Sequence, residues 1–143
     1  IYQAKAMGAS AVLLICSVLD DGELRAYHQL ARELGISALV EAHTADEVER
    51  AQKAGAEVIG VNNRNLKDFT VDIGRSVELR RLVDKDTVFV SESGIRGPED
   101  MKALYENGTD AVLIGEMLMR AEDRREALRS LREAVAAGGS KPW

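Results

Sequence analysis

Four times along this chain a helical stretch ends in glycine, crosses a short link and enters an apolar run: AMGASAVLLI, ELGISALVEA, KAGAEVIGV and ENGTDAVLIG. The glycines are Gly8, Gly35, Gly55 and Gly108. Each suits the left-handed position just past a helix. The spacing predicts strands at about 11–16, 38–43, 57–62, 87–92 and 111–115. These runs are short, continuous and rich in Val, Ile and Leu, the pattern of parallel strands covered on both faces. Strands that alternate with helices in this way define an α/β fold with a parallel sheet.

The intervening segments carry helical periodicity. In 23–34, Leu24, Tyr27, Ala31 and Leu34 form one apolar stripe. Thr44 with Glu47 forms a capping box for the helix that ends near Gly55. Ile73, Val77 and Leu82 mark a third helix. Pro98 suits the first turn of a fourth, which would bury Met101, Leu104 and Tyr105. Leu128, Leu131 and Val135 mark a last helix, closed by Gly138-Gly139, with residues 137–143 as a frayed tail. The chain opens on Ile1 and is helical at once, with no capping residue ahead, as expected of a segment cut from something longer.

The 143 residues fit one domain, 1–143. Two architectures compete for it. An open doubly wound sheet is complete with five strands. A (β/α)8 barrel needs eight strands and about 250 residues, so this chain could supply only part of one.

Composition narrows the function classes. A net charge of −5, with no basic run and no aromatic ladder, argues against a nucleic-acid surface. No stretch approaches the roughly 18 apolar residues of a membrane span. The start lacks a basic segment followed by an apolar one, so no signal peptide is read there. The single cysteine, Cys16, lies in an apolar run and reads as an inert core thiol. The expected compartment is the cytoplasm.

In both architectures the functional groups sit at the carboxyl ends of the strands. Glu41 leaves an apolar run, where poor hydration lifts an acid toward the range useful for proton transfer, unless it simply pairs with an arginine. His43, two residues on, reads as a capping or loop histidine. Asn62, Asn63 and Arg64 offer amides and a planar guanidinium, but asparagines there also suit a plain turn. Ser91-Glu92-Ser93-Gly94 places an acid, hydroxyls and a glycine where the fourth strand emerges. Gly94 and Gly115 each follow a strand and precede a helix, so their backbone N–H groups can close around an anion. A short extra helix at about 116–119 fits the sequence after Gly115.

Taken in order, LVEAH, IGVNNRNL, SESGI and LIGEMLMR resemble the C-terminal part of the indole-3-glycerol phosphate synthase family, over Tyr2 to about Ala136. The resemblance implies a partial (β/α)8 barrel that supplies strands four to eight, with the first three missing. It implies ring closure, decarboxylation and dehydration of 1-(2-carboxyphenylamino)-1-deoxyribulose 5-phosphate, with no cofactor or metal. By similarity, Glu41 is the general base of dehydration, Glu92 a second active-site acid, and Asn62 a group at the anthranilate end that Arg64 supports. Ser93 lines the pocket, and Gly94, Gly115 and the backbone of Glu116 grip the phosphate. The family's lysine at the end of strand three has no matching position, nor do the glutamate and lysine of strand one. Lys5 and Lys67 lie on a helix and a loop and do not replace them. The fragment is therefore expected to be inactive alone. Its open sheet would expose edges and residues such as Leu13 and Ile15, inviting self-association or pairing with a missing N-terminal half. Two alternatives remain: a non-catalytic phosphate-binding half-barrel, and another sugar-phosphate barrel such as phosphoribosylanthranilate isomerase. The NNRNL and ESGI pair speaks against the isomerase.

Overall fold

Each apolar run forms a parallel strand, and each amphipathic stretch forms a helix beside it. A computed structural model describes residues 1–65 and 68–136. The expectations for Lys67, Gly138-Gly139 and the tail 137–143 lie outside the described residues. The order is α1 (Tyr2–Ala6), β1 (Ala11–Ile15), α2 (Asp21–Glu33), β2 (Ser37–Ala42), α3 (Ala45–Lys53), β3 (Val58–Asn62), α4 (Gly74–Leu79), β4 (Val88–Glu92), α5 (Pro98–Glu106), β5 (Ala111–Leu113), α6 (Glu116–Arg120) and α7 (Arg124–Ala136). A 3-10 turn at Arg80–Leu82 extends α4. The four glycines of the repeat all take positive φ, between 65° and 83°.

All five strands are parallel and lie in sequence order, β1-β2-β3-β4-β5. A doubly wound sheet reverses direction at a switch point. This sheet has none, so that reading is set aside. Right-handed crossovers in unbroken order place the helices on one face, as in a barrel wall. On that face the alternating residues Val40, Ile59, Val61 and Phe89 are fully buried, meeting Leu24 and Ala31 of α2 and Val48 and Ala51 of α3. A second cluster joins α5 to α7 through Met101, Leu104, Leu131 and Val135. The other face is partly uncovered: Leu13 is 48% exposed, Val88 43% and Leu113 56%. The exposure expected at Leu13 is present, while Ile15 is half-buried.

Local details correct the helix readings. The capping box sits ahead of α2, where Asp20 accepts from Glu23 N–H and Glu23 accepts from Asp20 N–H. The buried stripe of α2 is Leu24, His28 and Ala31, while Tyr27 turns outward. Steps of four and three residues keep His28 on the Leu24 face, so a polar side chain takes a core position. At α3 only half a box forms: Thr44 Oγ1 accepts from Glu47 N–H (3.2 Å), but the Glu47 carboxylate accepts from His43 N–H (2.5 Å). In α7, Leu128 is exposed. The predicted short helix after Gly115 is α6.

Arg50 ties the β1–α2 link to α3, donating to Asp21 Oδ1 (2.6 Å), Cys16 O (3.0 Å) and Leu19 O (2.6 Å). Cys16 is buried, and burial, with Glu47 nearby, pushes its thiol up to about 11. It is an inert core thiol, as expected.

Phe89 is fully buried at the centre of the sheet's helix-covered face, with the Arg80 guanidinium 5.5 Å from its ring centroid. Phe89→Ala is expected to lower the unfolding free energy by about 3–5 kcal/mol, read from urea denaturation. A loss under about 1 kcal/mol would contradict this account of the core.

Candidate active site

Strand register sets the geometry of the site. Glu41 on β2 pairs with Gly60 on β3, and Gly60 pairs with Val90 on β4; one pleat further on, Asn62 pairs with Glu92. Residues two apart share a face, so Glu41, Gly60, Asn62 and Glu92 all point to the side away from the helices. Gly60 is the spacer of this group. A Cβ built there would lie 1.8 Å from Glu92 Oε1 and 2.9 Å from its Cδ. The Glu92 carboxylate therefore occupies the volume that any larger residue at position 60 would fill. This brings it within electrostatic reach of Glu41 across β3.

The two acids are treated differently by their neighbours. Glu41, 5% exposed, has a partner at each oxygen. Asn62 Nδ2 donates to Oε2 at 3.3 Å, and His43 Nε2 lies 2.9 Å from Oε1. Glu92 is 3% exposed, and among the described residues its Oε1 has no hydrogen-bond partner. Burial first, and then the Glu41 charge, lift the Glu92 carboxyl to about 7. Glu92 therefore carries the burial penalty without a compensating donor at Oε1 among the described residues.

His43 lies in the bend between β2 and α3, a loop position as expected, but its side chain is turned inward. It is only 11% exposed and reaches back to Glu41, while its own backbone N–H donates to Glu47 at the start of α3. The two asparagines divide the roles that the sequence leaves open. Asn62 meets Glu41. Asn63 is fully buried and acts as a brace. Its Nδ2 donates to Ser91 Oγ (3.0 Å) and Ser93 O (3.1 Å), and its Oδ1 accepts from Ser76 N–H (3.1 Å) and Ser76 Oγ (2.8 Å). That brace holds Ser93 in the left-handed region, at φ 67°, a conformation a non-glycine residue keeps only when its surroundings impose it.

Beyond Ser93 lies a cavity of about 920 Å³ between the ends of β3, β4 and β5. Arg64, Ser93, Gly94, Gly115 and Glu116 line it, and Arg96 and Arg120 add two cations. Glu41, Asn62 and Glu92 stand outside its lining. Arg64 N–H links the two regions by donating to Asn62 Oδ1 at 3.0 Å. The Glu116 side chain bridges two arginines, Arg64 at 2.7 Å and Arg120 at 3.0 Å. Gly94 has a second reason to be glycine. Its φ is 80°, and a Cβ would fall 2.2 Å from Val71 Cγ1. At Gly115 nothing lies within 4 Å of an added Cβ. Lys5 sits exposed on α1. Among the described residues no group of three or more His, Cys, Asp or Glu is placed to hold a metal ion.

The residues absent from the sequence-level site are Gly60, His43, Arg96 and Arg120. Gly60 carried a signal: a glycine inside a strand marks close approach by another group.

A parallel sheet wound in sequence order, with buried acids and a cavity at its carboxyl ends, defines the class: part of a (β/α)8 barrel. Residues 1–131 match the indole-3-glycerol phosphate synthase family, and the chain belongs to it. It is 53% identical over 133 residues to the indole-3-glycerol phosphate synthase of Endomicrobium trichonymphae, covering 93% of this chain and 52% of that protein. With the same enzyme from Ruminiclostridium cellulolyticum it shares 54% over 132 residues, covering 92% and 51%. The chain thus spans about half the length of the curated relatives it matches. In fold it is similar to 3-hexulose-6-phosphate synthase from Salmonella typhimurium, with a TM-score of 0.79 at 18% identity over 96% of this chain and 68% of that one. Thiamine phosphate pyrophosphorylase from Pyrococcus furiosus gives a TM-score of 0.73 at 21% identity over 94% and 63%.

The lifted Glu92 carboxyl makes stability depend on pH. Its value rises from 4.5 in the unfolded chain to about 7 in the fold. The folded state then holds a proton that the unfolded chain has released. The contribution is present in full below pH 4.5 and is lost as pH rises through about 7. Urea denaturation is expected to show a loss on the order of 1–3 kcal/mol across that window, and Glu92→Gln to flatten it. An equally steep loss in the variant would contradict this assignment.

Proposed function

We propose that this chain supplies the C-terminal half of an indole-3-glycerol phosphate synthase active site. The reaction is ring closure, decarboxylation and dehydration of 1-(2-carboxyphenylamino)-1-deoxyribulose 5-phosphate, a step of tryptophan biosynthesis. The observation that carries the reading is the buried Glu41–Glu92 pair, set across Gly60 at the carboxyl ends of the strands. Two close carboxylates out of water do not both ionise readily. The shared proton belongs on Glu92, whose buried oxygen has no donor, leaving Glu41 to accept the proton that dehydration removes. Asn62 orients Glu41 and faces the substrate's aromatic end.

The cavity of about 920 Å³ is large enough for the sugar phosphate. Ser93, Gly94, Gly115 and the backbone of Glu116 would receive its phosphate. Arg64 would meet an anionic group of the substrate through its planar guanidinium. We assign no cofactor and no metal to this chemistry. The uncovered sheet face, with Leu13 and Leu113 exposed, suits the remaining half of such a barrel as its cover. A lone cysteine and a biosynthetic role go with a cytoplasmic setting. Among the described residues no helix is long and apolar enough to cross a membrane.

The test is a chimera in which this chain replaces the C-terminal half of the Ruminiclostridium cellulolyticum relative. It is expected to form product, followed by indole fluorescence. Glu41→Gln in that chimera is expected to lower kcat about 100-fold or more, with KM within about twofold. A folded chimera without product, or a variant with unchanged turnover, would overturn the reading.

A further inference from the structure

His43 is placed with unusual care for a residue just past the end of a strand. Its backbone N–H is held by the Glu47 carboxylate at 2.5 Å, and Glu47 N–H is in turn held by Thr44 Oγ1 at 3.2 Å. The first turn of α3 therefore fixes the backbone of His43. Its ring is 11% exposed and stands 2.9 Å from Glu41 Oε1. Asn62 reaches the other oxygen, Oε2, from β3. Both oxygens of Glu41 are thus approached by nitrogen from two different strand ends. Glu92, the companion acid, has no such partner at its buried Oε1.

We propose that His43 is a positioning residue for Glu41, donating its Nε2–H to Oε1 so that the carboxylate is held in one orientation between Asn62 and Glu92. The proposal rests on the reading of Glu41 as the base. The physical reason is the bonding inventory. An ionised carboxylate only accepts hydrogen bonds, so the ring nitrogen facing it must carry a proton. That choice fixes which face of the imidazole is protonated, and the partner of one nitrogen sets the state of the ring. A base whose lone pairs are committed in two directions has a single orientation left, which is what proton removal at a defined carbon requires. Asn62 alone would leave Oε1 free to rotate. A donor at 43 removes that freedom.

The proposal has a readout independent of turnover. The chain contains two histidines, His28 and His43, so ring nitrogens labelled with nitrogen-15 can be assigned with one His28→Gln variant. Long-range proton–nitrogen spectra of the whole chain at neutral pH are expected to show His43 protonated at Nε2. An unprotonated Nε2 would overturn the proposal. In the chimera, His43→Phe is expected to lower kcat on the order of tenfold or more with KM within about twofold. His43→Gln, whose amide can place an N–H near the Nε2 position, is expected to stay within about threefold of the parent. Equal loss in two folded variants would show a packing role and contradict donation, and so would an unaffected His43→Phe. A folded chimera that lacks all activity would overturn the proposed function on which this role rests, while the nitrogen spectra would still decide the state of His43.

Discussion

A strand that lacks one side chain makes this site. Gly60 sits in the middle of β3, and the volume a Cβ would take is filled by Glu92 Oε1. Because β3 separates β2 from β4, a bare backbone at that point is what lets an acid of β4 feel an acid of β2. Two carboxylates are thereby held together away from water; Glu41 has a nitrogen at each oxygen, while among the described residues Glu92 Oε1 has no partner. The difference in their roles comes from this asymmetry in hydrogen bonding, since both are glutamates at similar depth.

The rest of the fold serves that contact. Val61 and Phe89 seal the opposite face of the same strands, so β3 and β4 cannot shift without opening the core. The buried Asn63–Ser76–Ser91 cluster pins the end of β3 to the end of β4 and holds Ser93 in its left-handed turn. A partly satisfied network at that depth would cost more than an apolar core. Here all four hydrogen-bonding positions of the Asn63 side chain that matter for the turn are used. The chain then passes directly into the cavity at Gly94, where Val71 presses against the backbone. Rigid acids and an open anion end are thus joined by only a few residues.

Most of the architecture was legible in the sequence, because glycine before an apolar run is a local signal. Strand positions, the helix at Pro98 and the short helix after Gly115 depend on nearest neighbours and on little else. Strand order is not local, which is why an open doubly wound sheet stayed available until the pairing was known. The exchange of Tyr27 for His28 in the core followed from a phase error of one residue, and sequence polarity favoured the wrong one. At the site, Glu41, Asn62, Glu92 and Gly94 stood out because they interrupt apolar strands or follow them. His43 and Gly60 did not. Their importance lies in what a neighbouring strand brings to them, and no spacing along one strand reports that.

Carbon-13 NMR of glutamate carboxyls across pH, in the 143-residue chain, tests the central claim most directly. The account predicts one carboxyl, assigned to Glu92 by its loss in Glu92→Gln, with a midpoint near 7. It also predicts that this resonance moves when Glu41 is neutralised by Glu41→Gln, since the two charges are coupled. A Glu92 midpoint near the ordinary 4.5, unmoved by that substitution, would mean that the acids do not share a proton and that Gly60 spaces nothing of consequence.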